Sequence, residues 1–279
     1  MKKMIIIFII LIFIISIWQI WENNSIGITT IKYSNSKIPK EFSGYRIVQI
    51  SDLHNKQFGE NQSKLIDRVK QCNPNIIVIT GDLIDDRSYN LETSFNIAMD
   101  FINKAMEIAP VYYVTGNHEA YTGEYEKIKQ RLIDSKVIVL DNESAIISKN
   151  GHDIIIIGLL DPNFYTGSDE DRVSRVNDEL KKLSDNEYFK ILLSHRPELM
   201  SVYTDNKIDL VFSGHTHGGQ IRIPFIGGII GPNQGLFPKY IDGEYVEEDT
   251  TMIVSRGLGA TIVPIRIFNK PEIILLELQ

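Results

Sequence analysis

Five short apolar runs in this chain each lead into side chains that favour metal ions, and this arrangement restricts the fold more than any other feature. The runs, at 46–50, 75–80, 111–115, 189–193 and 208–212, are rich in Ile, Val or Tyr and have the length of buried strands. Asp52 and His54 follow the first, Asp82 the second, Asn117 the third, His195 the fourth, and His215 with His217 the fifth. Each ligand group therefore lands at the C-terminal end of its strand. In open α/β sheets that edge forms the binding crevices, because the chain leaves the sheet there and its loops converge.

Helical periodicity at 63–70, 95–107, 125–133, 172–183 and 198–203 separates the runs. Strand–helix–strand order in the first hundred residues implies parallel pairing. Further apolar runs at 137–140, 154–160, 251–254 and 273–278 imply a second, mixed sheet packed against the first. A chain of 279 residues with 43% hydrophobic residues buries a sizeable core, so one large domain is expected after the first forty residues. Between Gly214 and Gly235 lies a long loop punctuated by Gly and Pro yet rich in Ile; its isoleucines are expected to pack into the domain, with an apolar surface suited to a lipid or lipid-linked substrate as the alternative.

The first residues read as a membrane anchor. The segment 4–20 is almost wholly Ile, Phe and Leu, with Lys2 and Lys3 before it and Trp18 and Trp21 at its far end, where indoles suit the lipid–water boundary. Seventeen residues make a helix of roughly 26 Å, barely enough to span a bilayer. The lysines before it and Glu22 after it favour a cytoplasmic N-terminus and an extracytoplasmic domain. A cleaved secretory signal is the competing reading, since Ser25-Ile26-Gly27 has the small-x-small form of a cleavage site. The expected organisation is an anchor at 1–22, a linker at 23–40 and a domain at 41–279.

Charge and cysteine usage exclude some chemistry. A net charge of −7 with no basic block argues against a stable nucleic-acid partner. A single cysteine, Cys72, rules out an intramolecular disulfide and thiolate metal clusters, and its setting reads as a buried structural thiol. No H-E-x-x-H helix, P-loop or G-x-S-x-G elbow is present.

Asp and His together bind hard-to-borderline divalent ions, and Asp52-Leu53-His54 in extended geometry aims both side chains to one side, as does His215-Thr216-His217. Either pair alone occurs by chance. Asp82 and Asn117, each after a Gly, also fit ordinary turn chemistry. The distribution of histidine decides: of six in the chain, five fall in these strand-end clusters and only His152 lies elsewhere, in a solvated turn. Four His, two Asp and one Asn exceed the needs of one ion and suit two ions sharing a carboxylate. Mixed imidazole and carboxylate ligation without thiolate suits Mn²⁺, Fe²⁺ or Zn²⁺.

Ser51-Asp52-Leu53-His54, Gly81-Asp82, Gly116-Asn117-His118-Glu119, Ser194-His195 and Gly214-His215-Thr216-His217, in that order, resemble the motif set of the calcineurin-like metallophosphoesterases. The extension through Arg222 and the later Ser255-Arg256-Gly257-Leu258-Gly259 resemble a narrower group, the bacterial membrane-associated phosphoesterases of the YkuE and YaeI type. This resemblance implies a four-layer α/β/β/α sandwich with two mixed sheets. It assigns one ion to Asp52, His54 and His217, the other to Asn117, His195 and His215, with Asp82 bridging. It implies hydrolysis of phosphodiester, phosphomonoester or pyrophosphate bonds by a metal-bound hydroxide.

His118 is then the proton donor near the leaving group, unless it only orients Asn117, and Glu119 is a candidate to hold its ring. Arg256 is a candidate substrate contact, with pairing to a carboxylate as its structural alternative. A phosphorylated small molecule or lipid is the expected substrate, and the membrane a partner through the N-terminal helix. A non-catalytic metal-binding scaffold and a protein phosphatase of the same fold are the other classes compatible with these residues.

Overall fold

Strands such as Ile76–Thr80 and Phe189–Leu193 are buried along their whole length, so both faces of each sheet must be covered. The computed structural model describes residues 2–87, 90–260 and 265–279 and shows how. In chain order it contains α1 (Lys2–Asn24), β1 (Gly27–Tyr33), β2 (Arg46–Ile50), α2 (Ser63–Cys72), β3 (Ile76–Thr80), α3 (Leu91–Met106), β4 (Val111–Val114), α4 (Asn117–Tyr121), α5 (Tyr125–Asp134) and β5 (Ile138–Val139). The second half adds β6 (Glu143–Lys149), β7 (His152–Gly158), α6 (Asp169–Leu183), β8 (Phe189–Leu193), α7 (Met200–Asp205) and β9 (Leu210–Ser213). Four two-residue strands follow, β10 (Arg222–Ile223), β11 (Gly227–Gly228), β12 (Ile230–Gly231) and β13 (Gly235–Leu236), then β14 (Gly243–Glu247), β15 (Thr250–Val254) and β16 (Glu272–Leu278).

The strands form two six-stranded sheets, ordered β1-β16-β2-β3-β4-β5 and β14-β15-β9-β8-β7-β6. Both are mixed. In the first, β2, β3, β4 and β5 run parallel and β16 enters antiparallel to β2; in the second, β15, β9, β8 and β7 are parallel between antiparallel edges. The period-2 alternation of strand side chains sorts the apolar residues into three layers. Ile77 and Ile79 pack under α2, α3 and α5 against Leu65, Phe101 and Ile128, while their neighbour Val78 points between the sheets to meet Ile156, Ile191 and Phe212. Ile157, Leu192 and Val211 face the other way, against Val176 and Leu180 of α6 and Met200 and Tyr203 of α7. The result is the four-layer sandwich expected from the sequence. Cys72 is buried in the first of these layers.

Three expectations change. The linker expected over 23–40 contains β1, which pairs along its full length with the C-terminal strand β16, so the domain begins near Gly27 rather than at residue 41. A partner more than 240 residues away leaves no local trace, and an edge strand with a largely half-exposed pattern lacks the apolar run that marks a buried one. The edge strands β6 and β14 went unrecognised for the same reason: their sides alternate between half-exposed and exposed. Finally, the isoleucines of the Gly214 to Gly235 loop do not all pack inward. Ile223, Ile226 and Ile230 lie exposed on two small hairpins, β10-β11 and β12-β13.

Candidate metal centre

The two sheets present their ligand-bearing ends to one another. Backbone bonds lock the loops together, with Asp52 N donating to Gly81 O at 3.1 Å and His54 N to Asp82 O at 3.1 Å. Asp52, His54, Asp82, His215 and His217 all adopt positive φ, between 46° and 71°, a region that costs a non-glycine residue on the order of 1 kcal/mol or more. Sharp reversals of this kind turn each side chain back across the sheet edge. Two glycines make the crowding possible: a Cβ on Gly116 would collide with the Asp82 carboxylate, and one on Gly214 with Ser51 Oγ and Asp52 Oδ2.

Seven expected ligands converge here. Asp52, His54, Asp82 and His217 bring ligand atoms within 4.8 Å of one another, and so do Asp82, His195 and His215. Asp82 belongs to both groups. His54 Nε2 stands 3.1 Å from His217 Nε2, His215 Nδ1 3.2 Å from His195 Nε2, His195 Nε2 3.2 Å from Asp82 Oδ2 and His217 Nε2 3.3 Å from Asp52 Oδ1. With ligand bonds of about 2.1 Å, neighbouring ligand atoms around an octahedral or tetrahedral ion lie about 3.0–3.4 Å apart, and these separations match that spacing. Asn117 Oδ1 is buried without a hydrogen-bond partner, as an oxygen reserved for a cation would be. His195 Nδ1 faces Thr80 O at 2.7 Å, a contact that fixes its N–H there and turns Nε2 toward the cluster. The cluster can hold two metal ions.

The electrostatics agree. Burial pushes the Asp52 carboxyl up to about 6 and the His54 imidazole down to about 3. His215 and His217 fall well below the usual range, through burial first, with Arg196 beside His215 and Arg266 beside His217 lowering them further. Neutral imidazoles carry the lone pair a metal requires. At His195 burial works against the charge, but Asp82 outweighs it and the pKa rises to about 10. A divalent cation at Asp82 would displace that proton.

Above the cluster lies a cleft of about 330 Å³, lined by Asp82, Asn117, His118, Arg196, His215 and Asn233 among others. His118 stands on its rim, 15% exposed, with Nε2 3.9 Å from Asp82 Oδ2. Its Nδ1 meets the Asp86 carboxylate, with Asp85 Oδ1 at 3.6 Å. Glu119, the candidate for holding this ring, does something else. It accepts backbone N–H bonds from Gly116 (2.7 Å), Leu83 (2.8 Å) and Asp82 (2.9 Å), stapling the two Gly-led turns; burial and then Asp82 push its carboxyl up to about 7. Arg256 is also corrected. It pairs with Glu272 at 2.6 Å and is not among the residues lining the cleft.

Four further residues belong to this site. Asp86 stands beside His118 Nδ1. Arg196, 3% exposed and lining the cleft, is held by Asp161 at 2.6 and 3.0 Å and reaches His215 Nε2 at 2.9 Å. Asp161 follows the apolar run at 154–160 and so carried the same strand-end signal as the other ligands, and Arg196 adjoins His195. Arg266, fully buried, lies 3.2 Å from His217 Nδ1, and nothing around it in the sequence marks it.

Comparison with known proteins agrees with this geometry. The chain is 33% identical to the metallophosphoesterase YkuE of Bacillus subtilis over 262 residues, 92% of this chain and 87% of that protein. It is 25% identical to the phosphodiesterase YaeI of Escherichia coli, over 84% of this chain and 82% of the relative. Among solved structures, TT1561 of Thermus thermophilus shares the fold, with a TM-score of 0.50 at 15% identity, covering 77% of this chain and 91% of that one. Residues 45–219, the span that carries every ligand, match the calcineurin-like phosphoesterase family, and the chain belongs to it.

Proposed function

We propose that this protein is a binuclear metal-dependent phosphoesterase, anchored in a membrane by α1 with its domain on the extracytoplasmic side. It would cleave phosphodiester, phosphomonoester or pyrophosphate bonds, with a lipid-linked or other cell-envelope phosphate as substrate. The observation that carries the reading is the Asp82 carboxylate shared by both ligand groups, beneath a cleft with His118 on its rim. In this reading Asp52, His54 and His217 would hold one ion and Asn117, His195 and His215 the other, with the Asp82 carboxylate shared between them. Bound there, Mn²⁺, Fe²⁺ or Zn²⁺ would activate water near neutral pH and neutralise phosphoryl charge.

The remaining work falls to the chain's own side chains. Asp86, beside Nδ1, fixes the His118 ring so that Nε2 faces the cleft and can pass a proton to the leaving-group oxygen. Arg196, held by Asp161, offers a guanidinium to a phosphoryl oxygen from the cleft lining. Gly116 and Gly214, by lacking side chains, leave Asp82 and Asp52 room to turn toward the ions.

The test uses the full chain in detergent, stripped of metal, reloaded with Mn²⁺, Zn²⁺ or Mg²⁺, and assayed on bis(p-nitrophenyl) phosphate and p-nitrophenyl phosphate. Metal-restored cleavage is expected, and His118→Asn should keep two ions per chain while losing about 10²–10⁴-fold in turnover, the usual worth of a positioned acid. A His118→Asn protein that lost an ion would make His118 a ligand. Two bound ions in the native chain with no cleavage of either compound would argue for a scaffold.

A further inference from the structure

Among the described residues, thirteen large apolar side chains outside α1 are exposed, and eight of them fall in just two segments, 221–237 and 265–268. Six are Ile223, Phe225, Ile226, Ile230, Leu236 and Phe237, at the tips and edges of the two hairpins, with Phe225 fully exposed. The others are Ile265 and Phe268. Chance does not concentrate apolar surface in this way, and clusters of this kind mark contact with another apolar phase.

The two segments form one surface. Ile221 bridges to Ile267, Arg222 N donates to Ile267 O at 3.0 Å, Gln220 Nε2 donates to Ile265 O at 3.0 Å, and Phe237 N donates to Ile229 O at 2.8 Å. That surface is joined to the end of the apolar helix. Trp18 packs on Phe268 with ring centroids 5.4 Å apart, Asn23 Nδ2 donates to Arg266 O at 2.9 Å, Arg266 N donates to Asn23 Oδ1 at 2.8 Å, and Gln19 Nε2 also reaches Arg266 O. Lys270 extends over Trp21 at 5.5 Å and Lys56 Nζ caps Asn23 O, two cations beside two indoles at one end of the helix. Indoles and lysines at this level are the usual marks of the headgroup region.

No tether separates helix from domain. Asn24 ends α1, Gly27 begins β1, and Ile26 between them is buried in the first core layer. A domain joined this closely to a spanning helix keeps one face against the bilayer. We infer that the hairpin surface formed by residues 221–237 and 265–268 lies in the lipid headgroup and upper acyl region of the membrane that α1 spans.

One consequence concerns the site. The same loop that carries Phe225 and Phe237 begins at His215 and His217 and supplies Pro232 and Asn233 to the cleft wall. The cleft mouth therefore sits beside the membrane surface, where the phosphate of an amphiphile would meet it. This substrate consequence rests on the phosphoesterase reading, whereas the lipid-facing surface rests only on α1 as a membrane span.

The experiment keeps the full chain and requires no turnover. In a Cys72→Ala background, an environment-sensitive NBD label is placed at Phe225→Cys, at Phe237→Cys and, as a control, at Tyr188→Cys, an exposed site at the opposite end of β8 from His195. Each protein is reconstituted in phosphatidylcholine–phosphatidylglycerol vesicles, with and without lipids carrying a nitroxide near the headgroup. Labels at 225 and 237 should be blue-shifted and quenched several-fold more than the label at 188. Equal quenching at all three positions would overturn the inference. Labels that are blue-shifted but insensitive to nitroxide would also overturn it, in favour of a second copy of the chain on this face. Failure to sediment with the vesicles would remove the span itself, and this surface with it.

Discussion

Two buried arginines stand behind the ligand cluster, each within reach of a ligand histidine, and their surroundings make them different instruments. Arg196 Nη1 lies 2.9 Å from His215 Nε2 and is held by both oxygens of Asp161; although burial opposes its charge, the carboxylate outweighs burial and holds its pKa above the usual value. Arg266 Nη2 lies 3.2 Å from His217 Nδ1 but, among the described residues, makes no contact with a carboxylate. It donates to Gly259 O at 2.6 Å and Arg256 O at 2.7 Å, and burial lowers its pKa to about 10. A guanidinium that faces the cleft with its charge balanced can lend a donor to a phosphoryl oxygen. One that faces main-chain carbonyls fixes the path of the chain. In the proposed reading the same residue type therefore serves substrate at Arg196 and architecture at Arg266.

The largest effect should come from the group both halves share. Asp82→Ala is expected to lower turnover by at least about 10³-fold and to reduce bound metal at both sites, since a bridging carboxylate contributes to each. Metal content by mass spectrometry alongside cleavage of bis(p-nitrophenyl) phosphate reads it directly; retention of two ions per chain would show that the halves are independent.

Separating the arginines is the next step. Arg196→Met should cost about 10²-fold in kcat/KM, the usual consequence of removing one donor aimed at developing charge. Arg266→Met should leave kcat/KM within a few-fold in the protein that remains folded. Its cost should appear as about 3 kcal/mol in urea unfolding, because buried carbonyls lose their donors at about 1–3 kcal/mol each. Were the two variants to exchange these signatures, the division between substrate and architecture would be reversed.

How much of this could be read from the sequence follows the same division. Asp52, His54, Asp82, Asn117, His195, His215 and His217 were legible because each follows an apolar run, and a strand end is a position that local pattern can mark. The two packed sheets were legible for the same reason, whereas the four layers came from the family resemblance. Arg266 was not: its carbonyl partners lie seven and ten residues back and its imidazole 49 back, and a donor to main-chain carbonyls has no sequence requirement on the other side. Glu119 was left open as a partner for the His118 ring, because only the fold brings the Asp82 turn against it. Arg256 was a candidate because it lies in a motif and an Arg can bind phosphate, with a carboxylate partner as the alternative; Glu272, 16 residues away, is that partner. The strand β1 and the exposed hairpins were obscured by long-range pairing in one case and by apolar composition in the other. Composition alone cannot distinguish burial in protein from burial in lipid.

The smallest effect, and the finest test of the two halves, is the pH dependence of metal loading. In the group of Asp52, His54 and His217, His54 and His217 are held neutral, and the one proton to be displaced is that of Asp52, whose carboxyl burial raises to about 6. Above that pH no proton competes, so affinity there should be nearly flat from about pH 7 upward. In the other group His195 holds its proton to about 10 through Asp82. That interaction stabilises the metal-free fold fully below the ordinary imidazole value of 6.5 and is lost as pH rises toward 10, so a cation must compete with it across the neutral range. Affinity at this second site should therefore climb by up to about tenfold per pH unit between pH ~7 and ~9. Calorimetric titration of the metal-stripped chain with Mn²⁺ across that range should resolve one nearly pH-independent site and one steep site. The steep site should lose its slope in His195→Asn, where the titrating group is gone. Two sites with the same slope would mean that the shared carboxylate couples both halves into a single titrating unit, and that their separate environments do not govern loading.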